Sequence, residues 1–300
     1  SSGELALYRA VLAALLIAPL FALALAKAGD GAATGATLPD GFFNFFTTPQ
    51  DIISGLGWGL GYFGMPHIII RFMSLKSEKE LRKSSVIGIS WTTIILIMSA
   101  LTAIAGRLYL GEIEDSSTVF ITMVRRIFPA LVSGLLLSAI LSAAMSTADS
   151  QLLAASSAFA SDVYKPVIRK KASDSEMLWA GRIVVIVIAV VALMIASDPN
   201  SGSIMGLVEN AWGVFGAAFG PVILLSLFWK RLTFGGTVAG IAVGAAVDIL
   251  WLVFLSSTDI YEIVPGFAAG LLAAVVVSLL SKGPGKDVED LFDRAVDLKS

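Results

Sequence analysis

Apolar residues along the chain gather into long blocks separated by shorter polar or glycine-containing segments. The blocks fall at about 5–27, 51–73, 84–106, 129–160, 178–196, 204–229, 233–255 and 262–281. A helix that crosses a bilayer needs about 20 mostly apolar residues, and each block is of that order. Strands left open in lipid cannot satisfy their backbone groups, so the blocks predict helices. The expectation is an all-α, multi-pass membrane protein, with a bundle of eight spans over 1–281. In the polar tail, 282–300, Val288, Leu291, Phe292, Ala295 and Leu298 keep helical spacing. That spacing predicts a short cytoplasmic amphipathic helix that carries no chemistry.

The polar segments set the sidedness. Arg71, Lys76, Lys79, Arg82 and Lys83 lie between the second and third blocks, and Lys165, Arg169, Lys170 and Lys171 between the fourth and fifth. Lys230 and Arg231 follow the sixth, and Lys282 and Lys286 the eighth, whereas 197–203 and 256–261 contain no Lys or Arg. Basic loops stay in the cytoplasm, so the alternation gives a topology. Segment 107–128 is then external, with Arg125 and Arg126 against the trend. Its Val119, Phe120, Met123, Val124 and Ile127 predict an amphipathic helix after Asp115-Ser116-Ser117. It is either a helix packed on the bundle or a lid over an outer vestibule.

Composition narrows the chemistry. The chain is 56% hydrophobic and 15% charged, against about a quarter charged in soluble domains. There is no basic patch for nucleic acid. With no cysteine and the single histidine His67, disulfides are excluded, and zinc sites and Cys/His or Ser/His catalysis have almost no material. The reading is that the chain is not an enzyme. It does not open on Met, and its first block has no convincing cleavage site. We read it as a stretch from within a longer protein.

Two blocks carry candidate function. The second holds Gly55, Gly57, Gly59, Gly61, Gly64 and Pro66, interleaved with Trp58, Tyr62 and Phe63. Glycine exposes backbone and proline removes a donor, so the helix is expected to break between about Gly57 and Pro66. Broken helices at membrane depth line cavities and point to a transporter's binding site. Close packing through small residues is the plainer reading of the same glycines. His67 reads as a hydrogen-bonding residue at a helix end or as a proton carrier. The fourth block spaces Ser138, Ser142, Ser146 and Ser150 at intervals of four, with Ala143 and Thr147 beside them and Asp149 and Gln151 following. These hydroxyls either bond back to their own helix or offer oxygens to a hard cation. Acids inside spans are functional candidates by default, and Asp149 and Asp248 are noted without a role. The run Ala211–Pro221 mixes aromatics and glycines and reads as a packing seam or an outer gate.

The stretch Gly57–Met73, the stretch Ala143–Leu153 and the Ala211–Pro221 run together resemble the sodium:solute symporter family, most closely its bacterial sodium/proline branch. The resemblance extends over nearly the whole chain. It implies a partial LeuT-type inverted-repeat bundle, the first six spans matching core helices five to ten and the last two being peripheral. It also implies sodium as the coupling ion, with ligands at Ala143, Ser146 and Thr147, and a proline site that includes Trp58, Tyr62 and Pro66. Met65 stands where the family usually has Gln. Core helices one to four are not found in this sequence, and the resemblance implies that core helix one supplies the remaining sodium ligands and much of the solute site. The implied function is sodium-coupled secondary transport of proline or a similar small solute across the cell membrane, by a protein of which this stretch alone is not expected to be active. The contrasting expectation is a non-transporting sensor or interaction subunit on the same fold. The implied partners are the solute, membrane lipid and the missing N-terminal helices.

Overall fold

A computed structural model describes residues 17–24, 38–44, 48–73, 77–198 and 201–297. Most of the first candidate span lies outside these residues; of it, residues 17–24 are described and helical (α1). The remaining helices are α2 (Pro49–Gly61), α3 (Pro66–Met73), α4 (Glu78–Leu110), α5 (Val119–Ile127), α6 (Ala130–Ala158), α7 (Asp174–Ser197), α8 (Ile204–Phe228), α9 (Phe234–Phe254), α10 (Ile263–Leu280) and α11 (Lys286–Asp297). Six of the described helical stretches are long and apolar enough to cross a membrane. The second expected span is divided between α2 and α3, each too short to cross alone. Among the described residues every regular element is a helix, and the protein is multi-pass.

The helices group into two compact units: one from the described residues of 1–43 and 75–189, the other from those of 44–74 and 190–300.

In the first unit the core sits where α1, α4, α5 and α6 meet. Ala18, Ala22, Ala105, Tyr109, Leu110, Met123, Val124 and Leu136 are buried together. Met123 and Val124 are fully buried, so the amphipathic segment after Asp115 packs as a helix within this unit. Its start is fixed by the Asp115 carboxylate, which accepts from the Ser117 hydroxyl at 2.7 Å and the Ser117 backbone N–H at 2.9 Å. These bonds hold the Asp115 pKa below its ordinary value. Ser133 ties α6 back to α5, donating to the carbonyls of Val124 and Phe128 at 3.1 and 3.0 Å. After Ala158 the helix loosens into a π-helical stretch, Phe159–Ile168, that contains Pro166. Proline has no N–H to give and displaces the carbonyl four residues back, and a widened turn accommodates it. No residue in the apolar window of α7 is buried, as suits a helix bathed in lipid or awaiting other helices.

In the second unit, α8, α9 and α10 form a tight antiparallel trio against which α2 packs. Close approach comes from glycine. A Cβ on Gly244 would strike the Ala217 carbonyl, and one on Gly270 would lie 3.0 Å from the Ala217 and Gly240 carbonyl oxygens. The end that carries Thr233 is stitched by the Ser278 hydroxyl, which accepts from the Thr233 backbone N–H at 3.1 Å. The tail helix α11 is held to this unit by an ion pair between Lys230 and Asp293. That pair raises the Lys230 pKa, though exposed pairs contribute little to stability.

Candidate functional site

The glycine-rich block breaks as its composition requires. The capping box of Thr48 and Asp51 starts α2, with Pro49 at the first helical position. The helix ends at Gly61. Through the following turn the backbone bonds run to the third residue back: Phe63 N–H to the Leu60 carbonyl at 3.3 Å, and Gly64 N–H to the Gly61 carbonyl at 3.0 Å. Pro66, which cannot donate, opens α3. The regular ladder of bonds to the fourth residue back is therefore interrupted at Tyr62–Met65.

The glycines divide by role. Gly57, Gly61 and Gly64 are buried. A Cβ on Gly61 would enter the Trp212 ring, and one on Gly64 would strike the Phe215 carbonyl. Gly216 of α8 lies opposite, its Cβ position 2.8 Å from the Gly61 Cα. Gly55 and Gly59 face open space. Packing and breakage are thus both true of this block, at different glycines.

Around the break four rings gather. Trp58 lies 5.5 Å from Tyr261 and 6.0 Å from Trp212, centroid to centroid. Tyr62 meets Trp212 edge-on at 4.9 Å. The Trp212 indole N–H donates to the Trp58 carbonyl at 3.0 Å, and the Tyr261 hydroxyl donates to the Glu209 carbonyl at 2.8 Å. Burial, with Glu262, Glu209 and Asp248 nearby, pushes the Tyr261 pKa upward. Trp58 is half-buried, whereas Tyr62 is 52% exposed. Pro66 is exposed beyond the turn. Trp212 stood inside a run already singled out, but Tyr261 escaped the sequence reading, since nothing local in a short loop marks a ring that joins a helix far earlier in the chain.

The three residues assigned to sodium lie on α6. The Thr147 hydroxyl donates to the Ala143 carbonyl at 3.2 Å, which sets two of the three candidate oxygens side by side. Ser142 and Ser150 bond back in the same way, at 2.7 Å to Ser138 and 2.9 Å to Ser146. Ser146, Thr147 and Asp149 are exposed and Ala143 is half-buried. A donated proton occupies one carbonyl lone pair and leaves the hydroxyl's own lone pairs available. Back-bonding and cation ligation are therefore compatible at Thr147. Among the described residues no group of three or more His, Cys, Asp or Glu side chains is placed to hold a metal ion.

A helix broken beside clustered rings, in a multi-pass bundle, is the arrangement of a secondary transporter. Residues 10–244 match the sodium:solute symporter family, and the chain belongs to that family. It is 43% identical over 295 residues to the high-affinity proline transporter PutP of Bacillus subtilis, a match covering 96% of this chain and 62% of that protein. It is 43% identical to a sodium/proline symporter of Haemophilus influenzae, over 94% of this chain and 60% of that one. A solved structure of a Na+-coupled sialic acid symporter in a substrate-bound, outward-open state superposes with a TM-score of 0.67 at 19% identity. That match covers 92% of this chain and 61% of the symporter, and it shows a common LeuT-type fold. The chain spans about three fifths of the length of the curated relatives it matches. It is a transporter-family protein rather than an enzyme, multi-pass in the cell membrane.

Proposed function

We propose that this chain is part of a symporter that carries proline, or a similar small solute, into the cell with sodium. The observation that carries the reading is the interrupted helix at Tyr62–Met65, where the regular backbone ladder gives way to a turn beside the Trp58, Tyr62, Trp212 and Tyr261 rings. Exposed peptide groups bind a charged amino-acid backbone, and ring faces suit a compact apolar side chain. Tyr62 and Pro66 offer exposed surface to such a solute, and Trp58 supports Tyr62 through Trp212. The proline and sodium/proline transporters among the relatives favour this solute class.

Sodium is bound by the Ala143 carbonyl and the Ser146 and Thr147 hydroxyls, a set of neutral oxygens suited to a hard monovalent cation. Adjacent residues on a helix point about 100° apart, so Ser146 and Thr147 reach one ion only if it lies in a crevice that another helix closes. We assign that closing helix to sequence outside these 300 residues. One sodium ion moving down a membrane potential of 100 mV releases about 2.3 kcal/mol, the driving force for accumulating solute. Expressing the gene that carries this sequence in cells without their own proline carrier should give proline uptake that rises with external sodium. Uptake unaffected by replacing sodium with choline would overturn the coupling, and no uptake of proline or its analogues would overturn the solute class.

A further inference from the structure

The second unit has an acidic feature that the solute and sodium residues leave unused. Along α9, Gly236, Gly240, Gly244 and Asp248 follow at intervals of four, on one face, and all are buried. Glu262 and, along α10, Gly266, Gly270, Ala274 and Ser278 do the same. The two stripes face each other in antiparallel register: Gly236 lies against Ser278, and Gly266 against the Asp248 side chain. Small residues in such stripes are explained by close helix packing. Carboxyls at the next stripe positions are not, because an ionisable group at membrane depth is costly.

Asp248 is 0% exposed and Glu262 8%. Neither Asp248 carboxyl oxygen, nor Glu262 Oε1, has a hydrogen-bond partner among the described residues. Both acids face one gap, made by the missing side chain of Gly213 on α8. A Cβ there would lie 3.1 Å from Asp248 Oδ1 and 3.3 Å from Glu262 Oε1. A cleft of about 630 Å³ reaches Glu262, and Asp51, Glu209 and Asp259 also line it, with no Lys or Arg among the described residues of its wall.

We propose that Asp248 and Glu262 hold a small, hard monovalent cation between them, in the gap beside Gly213, which it reaches through the acidic cleft. Two carboxyls sharing a proton would hydrogen-bond to each other at under 3 Å, and these do not. Among the described residues no third His, Cys, Asp or Glu side chain joins the pair to complete a divalent-metal site. A cation of sodium's size bridges two carboxylate oxygens and offsets buried negative charge that would otherwise destabilise the α8–α9–α10 packing. This site shares no residue with the oxygens of α6, and its test does not depend on solute transport.

The experiment is thermal unfolding of the purified protein in detergent, titrated with NaCl against choline chloride at constant ionic strength. It is run on the unsubstituted protein and on Ser146→Ala/Thr147→Ala, which removes the two hydroxyls proposed as sodium ligands on α6. In both, sodium should raise the unfolding temperature with a measurable half-saturation. Asp248→Asn and Glu262→Gln in the double-mutant background should weaken that half-saturation at least about tenfold, the scale of metal-site losses. Gly213→Ala, which keeps both carboxyls but fills the gap, should do the same. The proposal is overturned if sodium stabilises the double mutant no more than choline does. It is overturned equally if Asp248→Asn and Glu262→Gln leave the sodium response unchanged.

Discussion

At Thr147 one hydroxyl serves two partners. It donates to the Ala143 carbonyl, so its lone pairs stay available to a cation. If they ligate sodium, Thr147→Ala should raise the sodium concentration for half-maximal uptake about tenfold, equivalent to about 1.4 kcal/mol, while Thr147→Ser, which keeps the oxygen, should raise it much less. Equal damage from both would mean that the lost methyl and its packing matter more than the oxygen. The aromatic residues separate on burial. Tyr62 is half-exposed and Trp58 is wedged between Trp212 and Tyr261. Tyr62→Ala should therefore raise the proline concentration for half-maximal uptake several-fold and leave the unfolding temperature nearly unchanged. Trp58→Ala should lower both affinity and stability, because truncating a packed indole opens a cavity. Uptake kinetics and thermal unfolding of the same preparations distinguish the two.

At the level of elements, the glycines of the broken helix do different work that a pair of alanines can separate. A Cβ on Gly64 meets backbone, the Phe215 carbonyl and the Gly216 Cα, and backbone cannot rotate aside as a side chain does. Gly64→Ala should destabilise by about 1–3 kcal/mol, as overpacking does. Gly59→Ala meets nothing within 4 Å and replaces a poor helix former, so it should be neutral or stabilising by up to about 1 kcal/mol. Thermal unfolding of the two variants checks the contrast; a loss at Gly59 matching that at Gly64 would contradict the packing described. This break was legible in the sequence because glycine and proline act locally. The continuation of α6 past residue 160 was not, although Pro166 marks where its widened turns would fall. The ring cluster was half legible. Trp58, Tyr62 and Trp212 stood in conspicuous runs, but their meeting with Tyr261 depends on how α2 docks against α8 and α10. Asp248 could be flagged as an acid in a span, yet its pairing with Glu262 follows only from the register of two glycine stripes, and register is a property of the pair of helices rather than of either.

At the scale of the whole molecule, charge gives the sidedness that the helices alone do not. In the second unit, α8 ends beside Lys230 and Arg231, and α10 ends before Lys282 and Lys286. The opposite ends, with the loop from Leu255 to Glu262 and the acidic cleft, carry no Lys or Arg. Retention of basic loops in the cytoplasm predicts Lys230 and Lys286 inside and the cleft outside, the side from which the proposed symporter would take up solute and sodium. These 300 residues contain no cysteine, so a single cysteine introduced here competes with no other within them. Ser257, in the cleft-side loop, and Gly285, between α10 and α11, are both exposed, and a side chain at Gly285 meets nothing within 4 Å. On intact cells a membrane-impermeant maleimide should label Ser257→Cys and spare Gly285→Cys until the membrane is permeabilised. Labelling of Gly285→Cys from outside, with Ser257→Cys protected, would invert the topology and place the acidic cleft toward the cytoplasm. The proposed cation at Asp248 and Glu262 would then be drawn from the sodium-poor side, and it could no longer load from the same compartment as the solute.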